Sequence, residues 1–147
     1  MQLECPQCGH LTLVSNNDTP KIAARPWHLV HGREGVKAYV ASLGQELHEW
    51  LLSLYVDEQL QLIAVETIAL GGPSCVAPYF WKVLSRGKAL SAAAFLLVHN
   101  HPSGDPRPSW DDLQTTRRLA DISKDLDIPL LDHFIIAGNE LRPIGCW

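Results

Sequence analysis

The sequence predicts an α/β fold in which helices cover a β-sheet. Two observations support this class: apolar runs typical of strands alternate with segments of helical periodicity, and the composition is that of an ordinary globular domain. Of the 147 residues, 46% are hydrophobic and 19% are charged, which is too apolar a composition for a disordered chain. A chain of this length is expected to form one domain with a substantial core.

Residues 1–25 differ from the remainder and are interpreted as a short N-terminal appendage, followed by the main domain over residues 26–147. The appendage contains Cys5 and Cys8, and the polar, proline-containing stretch after them is typical of a loop. A Cys-x-x-Cys pair is one half of a structural zinc site, which makes Cys5 and Cys8 candidate ligands of a second metal. The alternative is a free thiol pair, and the candidates for completing the site are Cys75, Cys146, His10 or a second subunit.

The first elements of the main domain follow from periodicity and from residues that break it. Apolar residues at helical spacing predict a helix over residues 33–43. The runs EWLLSLYV (49–56) and LQLIAVETIAL (60–70), joined by a short polar turn, predict a β-hairpin. Pro78 then opens a segment with apolar residues on one side, which predicts a helix that ends at Gly87.

The later elements surround a loop rich in proline and glycine. Residues 92–98 (AAAFLLV) are apolar without alternation, which indicates a central strand covered on both faces. After the loop, an amphipathic helix is expected to begin at Ser109 and to end before Pro129. Two further strands are predicted at 130–137 and 141–144. Sites in such sheets lie at strand ends, so we expect the loop after the apolar strand to be functional.

Charge and hydropathy restrict the partners and the compartment. The net charge is −4 with scattered basic residues, which argues against nucleic acid as the main partner. No apolar run approaches the ~20 residues that a membrane span requires, and the N-terminus lacks the basic start and apolar core of a signal peptide. The cytoplasm is therefore the expected location, where cysteines are reduced or metal-bound.

One short stretch carries the features of a catalytic metal site. His99 and His101 are two residues apart, so on an extended chain their imidazoles point to the same side. Asp112, in the first turn of the next predicted helix, adds a carboxylate. Two histidines and one carboxylate form a catalytic zinc set that leaves one position for water. The alternatives are that Ser109 and Asp112 form a capping box without metal, and that the histidines are polar loop residues.

The stretch resembles the signature of the JAMM metalloproteases: His-x-His, seven residues, Ser, two residues, Asp. His99, His101, Ser109 and Asp112 fit every spacing. The string HNHPSGDPRPS, together with a later Leu-Asp-His, resembles the bacterial RadC branch of that family, and the resemblance extends over about residues 33 to 144. It implies a mixed α/β sandwich similar to that of deaminases.

The resemblance also implies roles for single residues. The family uses a glutamate from an upstream strand as general acid and base, and Glu49 matches it, with Glu46 as the competing candidate. His133 is either a partner that orients a metal ligand or a core histidine. The implied zinc ligands are His99, His101 and Asp112, with the Ser109 hydroxyl helping to stabilise the oxyanion.

The predicted function is that of a zinc-dependent metallopeptidase or isopeptidase that cleaves an amide bond of a protein or peptide through a metal-activated water. The alternative is a non-enzymatic, metal-bearing scaffold in DNA repair or mobile-element biology. A zinc deaminase is disfavoured, since it would carry His-x-Glu and a later Pro-Cys-x-x-Cys. Tyr79 and Phe80 stand where the family has Arg-Glu, and the appendage replaces a longer N-terminal region. The five tryptophans leave a homodimer interface open beside core packing.

Overall fold

The alternation of apolar runs and helical segments produces one mixed sheet with helices on its faces. The computed structural model describes residues 2–4, 11–13, 32–71 and 80–145. Within them lie β1 (Gln2–Glu4), β2 (Leu11–Leu13), α1 (Gly32–Val40), a 3-10 helix (Ala41–Gln45), β3 (Glu49–Val56), β4 (Leu62–Gly71), α2 (Phe80–Ala89), β5 (Ala94–Asn100), α3 (Trp110–Asp125), β6 (Leu130–Ala137) and β7 (Glu140–Pro143).

The main sheet has the strand order β4-β3-β5-β6-β7. Strands β5 and β6 are parallel, and the other neighbours are antiparallel. The predicted α/β class is thus confirmed. Every residue of β3 and of β5 is buried. For β5 this confirms the prediction of a central strand covered on both faces, whereas β3 was predicted only as a strand of a hairpin.

The core is divided between the two faces of this sheet. Because successive side chains of a strand point to opposite faces, Trp50 and Leu52 of β3 pack on the face that contacts α1, while Leu51 and Tyr55 pack on the face that contacts α2 and α3. The second face is the one that also receives the histidines of β5 and β6, so α3 lies above them.

Most predicted elements are confirmed, with shifts in their bounds. The helix predicted at 33–43 is α1 followed by the 3-10 helix, and the strand predicted at 60–70 is Leu62–Gly71. The hairpin of β3 and β4 closes on Asp57, whose Oδ1 accepts backbone N–H groups at 2.9 Å from Gln59 and from Gln61. The strand predicted at residues 92–98 begins and ends two residues later, so it includes His99. The final predicted strand lies one residue earlier, at Glu140–Pro143.

The prediction that Gly87 ends a helix is wrong. Helix α2 continues to Ala89, and Gly87 is buried within it. A Cβ at this position would lie 3.3 Å from side-chain atoms of Ile128 and Tyr55. The glycine therefore permits close packing of α2 rather than ending the helix. The predicted start of this helix at Pro78 lies outside the described residues.

The N-terminal segment contributes a separate two-stranded sheet in which β1 and β2 pair antiparallel. Cys5, Cys8, Cys75 and Cys146 lie outside the described residues, so the second metal site remains a prediction. Among the helices that are described, none combines the length and the apolar character that a membrane crossing requires.

Candidate metal centre

The end of β5 brings two imidazoles to one point. His99 lies in the strand, paired with Leu51 of β3 and with Ile135 of β6, and only 1% of it is exposed. Beyond the strand, the His101 backbone N–H donates to the Ile136 carbonyl at 3.0 Å, which keeps the chain extended along β6. Both side chains consequently face the same side, with their Nε2 atoms 2.8 Å apart.

The first turn of α3 supplies a carboxylate to the same point. The Ser109 hydroxyl accepts the Asp112 backbone N–H at 3.1 Å, and Asp112 Oδ2 accepts the Ser109 backbone N–H at 2.7 Å, so the predicted capping box is present. Asp112 Oδ1 also lies 3.3 Å from His99 Nε2, and Oδ2 lies 3.5 Å from His101 Nε2. Capping box and histidine cluster are therefore not alternatives, because one carboxylate takes part in both.

Glu49 joins the cluster from β3, the strand next to β5 on the side away from β6. It is the first residue of β3, 8% exposed, and it shares a face with Leu51, whose cross-strand partner is His99. One carboxylate oxygen of Glu49 and one ring nitrogen each of His99 and His101 lie within 4.8 Å of one another. Glu46 precedes the strand and does not belong to this group, so the geometry favours Glu49.

Asn100 fixes the segment that carries Glu49. The Asn100 Oδ1 accepts the Trp50 backbone N–H at 2.7 Å, and its Nδ2 donates to the His48 carbonyl at 2.8 Å. These two backbone groups flank Glu49. The buried amide between the two histidines of the motif thus holds Glu49 against them, a role that the sequence analysis missed.

The ring nitrogens directed away from the centre also have partners. His101 Nδ1 lies 2.7 Å from the Asp105 carbonyl oxygen. His99 Nδ1 lies 2.7 Å from Nε2 of His133, whose Nδ1 lies 2.7 Å from the Thr116 hydroxyl. His133 is thus a buried histidine that contacts His99, a position compatible with both of its interpretations. Thr116 was missed, although it interrupts the apolar stripe of α3 one turn after Asp112, and such a polar residue signals a buried partner.

The acidic groups of the cluster differ in electrostatic environment. Burial raises the pKa of Glu49 from 4.5 to about 7; His101 opposes this shift and Asp112 adds to it. Burial also acts to raise the pKa of Asp112, but hydrogen bonds from His101 and His99 hold it well below its usual range. In the metal-free protein at neutral pH, Asp112 is accordingly ionised, whereas Glu49 has a pKa close to the pH of the solution.

The three histidines also differ in the direction of their pKa shifts. Burial lowers the pKa of His99, although Asp112 opposes it, and burial lowers the pKa of His133 well below its usual value. Burial also acts to lower the pKa of His101, but the Asp112 carboxylate and the Asp105 carbonyl outweigh it, so this pKa is raised. The His101 ring therefore takes up a proton more readily than the other two.

Comparison with known proteins identifies the family. The sequence matches the RadC-like JAB domain over residues 30–142, which covers α1 through most of β7 and every residue of the cluster. A UPF0758 protein of Dechloromonas aromatica is 38% identical over 107 residues, covering 73% of this chain and 46% of the relative. A UPF0758 protein of Burkholderia thailandensis is 36% identical over 118 residues, covering 80% and 45%.

A UPF0758 protein of Acidithiobacillus ferrooxidans is 37% identical over 116 residues, covering 76% of this chain and 52% of the relative. The chain thus spans about half the length of the curated relatives it matches. The region matched by the family contains the clustered histidines and all but the last residue of the five-stranded sheet. The chain belongs to the RadC-like JAB domain family.

Proposed function

We propose that this chain is a zinc-dependent hydrolase that cleaves an amide or isopeptide bond in a protein or peptide. The observation that carries the proposal is the convergence of two histidine nitrogens and a carboxylate, with a buried glutamate beside them, at the end of a central strand. His99, His101 and Asp112 would hold the metal through Nε2, Nε2 and a carboxylate oxygen.

The residues present fit such a cation. The Asp105 carbonyl can only accept, so it places the His101 proton on Nδ1 and leaves a lone pair on Nε2 when the ring is neutral. That lone pair points at a second imidazole nitrogen and at an ionised carboxylate, 2.8 and 3.5 Å away. In the metal-free protein a proton taken up by His101 can occupy the space between these atoms. A cation can replace that proton, since two nitrogens with one oxygen are a common catalytic zinc set.

Zinc held there supplies Lewis acidity, which polarises a carbonyl and makes water acidic near neutral pH. The side chain that moves the proton is Glu49. Its carboxylate takes the proton of the attacking water and passes it to the nitrogen of the leaving amine. In the metal-free protein burial raises the pKa of Glu49 to about 7. The positive charge of a bound cation would lower this pKa again and favour the ionised carboxylate, which is the form that accepts the proton of water.

Ser109 has a second role in this proposal. Its oxygen accepts the Asp112 N–H, and this contact leaves the hydroxyl proton free to be donated. Ser109 is exposed at the start of α3, where a substrate carbonyl can approach. The hydroxyl would donate to the oxygen on which negative charge develops during attack, and a fixed donor at that point lowers the barrier.

The first test is the zinc content of purified protein after dialysis. We expect one equivalent in a chain whose Cys5 and Cys8 are replaced by serine, which removes the other candidate ligands from the count. The same chain with His101→Ala should lose the metal. The matched control is His48→Ala, an exposed histidine whose side chain lies outside the cluster. Retention of zinc by His101→Ala would contradict the proposed ligand set.

The second test is cleavage. Peptides prepared from a digested bacterial proteome are incubated with the zinc-loaded protein, and new amino termini are counted by mass spectrometry. Glu49→Gln should retain zinc and lose cleavage, while Glu46→Gln should cleave as the wild type does. Cleavage by Glu49→Gln at the wild-type rate would refute the assigned proton transfer. A zinc-loaded chain that cleaves nothing and binds DNA in a salt-sensitive manner would instead support the scaffold function.

A further inference from the structure

A buried row of polar atoms lies behind His99. His99 Nδ1 lies 2.7 Å from His133 Nε2, His133 Nδ1 lies 2.7 Å from Thr116 Oγ1, and Thr116 Oγ1 lies 2.5 Å from the backbone carbonyl oxygen of Asp112. The three side chains are between 0 and 2% exposed. Bulk water does not reach them, so each polar atom depends on its neighbour in the row for a hydrogen bond.

With both imidazole rings neutral, the hydrogen bonds of the row can run in only one donor-to-acceptor direction if every atom is to have a partner. The Asp112 carbonyl can only accept, so the Thr116 hydroxyl donates its single proton there. The Thr116 oxygen then accepts the proton of His133 Nδ1, and the Nε2 of His133 is left with a lone pair. That lone pair accepts the proton of His99 Nδ1. His99 Nε2 is therefore unprotonated and faces the cluster.

We propose that Thr116 and His133 are positioning residues that fix the tautomer and the ring orientation of His99. The row starts at the backbone of Asp112 and ends at His99, so it links two of the residues assigned to the metal. The assignment of zinc rests on the proposed function, but the tautomer of His99 does not. Partners of this kind contribute about 10- to 100-fold to metal affinity where they orient a ligand histidine.

A simpler explanation covers only part of the row. A threonine within a helix often donates to the carbonyl four residues earlier, which alone accounts for the contact of Thr116 with Asp112. It does not account for the imidazole nitrogen of His133 at 2.7 Å from the same oxygen. Nor does it place a second buried imidazole at 2.7 Å from His99.

The test compares Thr116→Val, which removes the hydroxyl but keeps the shape, with Thr116→Ser, which keeps the hydroxyl. Zinc affinity is measured by competition with a chromophoric chelator. We expect Thr116→Val to bind zinc about 10- to 100-fold more weakly than the wild type, and Thr116→Ser to restore most of the affinity. Thermal unfolding of both variants in EDTA checks that they fold. Wild-type zinc affinity in a folded Thr116→Val protein would overturn the proposal.

Nitrogen-15 NMR of the histidine rings tests the tautomer without metal, at about pH 9, well above the usual histidine pKa. The wild type should show protonated Nδ1 and unprotonated Nε2 for both His99 and His133, and Thr116→Val should lose this single state at His133. A proton on Nε2 of His99 in the wild type would refute the proposed direction. If the wild type bound no zinc, the proposed function would fail, and this spectrum would still decide the proposal on the row.

Discussion

Burial raises the pKa of Glu49 in the metal-free protein, so its replacement by glutamine should change stability in a pH-dependent way. The folded metal-free protein binds the Glu49 proton more tightly than the unfolded chain does, because burial raises the pKa from 4.5 to about 7. Glutamine keeps the size of the side chain but does not ionise. The comparison of wild type with Glu49→Gln therefore isolates the cost of ionising a carboxyl group in this position.

The sign and the size of the effect follow from linkage. Below pH 4.5 Glu49 is protonated in both states, and its contribution to the free energy of unfolding is fully present. As the pH rises towards about 7, the unfolded chain releases the proton first and the wild type loses stability. The difference between 4.5 and about 7 corresponds to about 3 kcal/mol, at about 1.4 kcal/mol for each pKa unit.

The assay is urea unfolding in EDTA at a series of pH values between about 4.5 and 8, the range over which the two states differ in proton binding. Glu49→Gln should gain about 3 kcal/mol relative to the wild type across this range, whatever constant offset the amide introduces. Glu46→Gln, a substitution three residues earlier at a partly buried glutamate, should follow the wild type. A pH-independent difference for Glu49→Gln, or the same gain in Glu46→Gln, would refute the assignment.

Three further substitutions test how the centre is supported, each by urea unfolding of the metal-free protein. Asn100→Ala removes the side-chain partners of the buried Trp50 N–H and of the partly buried His48 carbonyl and should lower the free energy of unfolding by about 2–4 kcal/mol. A loss no greater than that of the exposed Asn139→Ala would contradict the role assigned to Asn100. In Gly44→Ala, the added Cβ would overlap the Gly138 carbonyl oxygen, so the free energy of unfolding should fall by about 1–3 kcal/mol. An unchanged free energy of unfolding would contradict this close approach. Ser109→Ala removes the cap of α3 and should cost about 1 kcal/mol, whereas Ser109→Thr should retain most of the stability, and equal losses in both would argue against capping.

The local parts of the candidate centre were predictable from the sequence. The spacing of His99 and His101 and the Ser109–Asp112 box depend on the geometry of one strand and one helix start, so short-range periodicity was enough. The fold class followed for the same reason. The preference for Glu49 over Glu46 came from a resemblance, and the structure supports it through the register of β3 against β5.

The contacts that support the candidate centre could not be predicted from sequence periodicity. Thr116 and His133 are 17 residues apart, and His133 and His99 are 34 apart, so their contacts depend on how α3 and β6 are placed after folding. Gly87 was misassigned because a glycine in a helical pattern marks either a helix end or a close approach. Only the positions of Ile128 and Tyr55 distinguish these two cases.

The row behind His99 uses all three elements of the β5-α3-β6 unit. Because Leu97 is paired with His133 and His99 with Ile135, His133 lies diagonally next to His99 on the face covered by α3. A shift of β6 by one residue would turn His133 to the opposite face. The strand register that forms the core on this face therefore also places His133 beside the candidate metal centre.

Metal binding should accordingly stabilise the fold by ordinary linkage and not be required for it, since the core around this unit is apolar and continuous without a metal. At a free zinc concentration 100-fold above the dissociation constant, the wild type should gain about 2.7 kcal/mol in unfolding free energy. His101→Ala should unfold cooperatively and gain nothing from zinc. A wild type that is unfolded in EDTA would contradict the prediction that the fold forms without zinc. A His101→Ala variant that zinc stabilises as much as the wild type would contradict the role of His101 in that stabilisation.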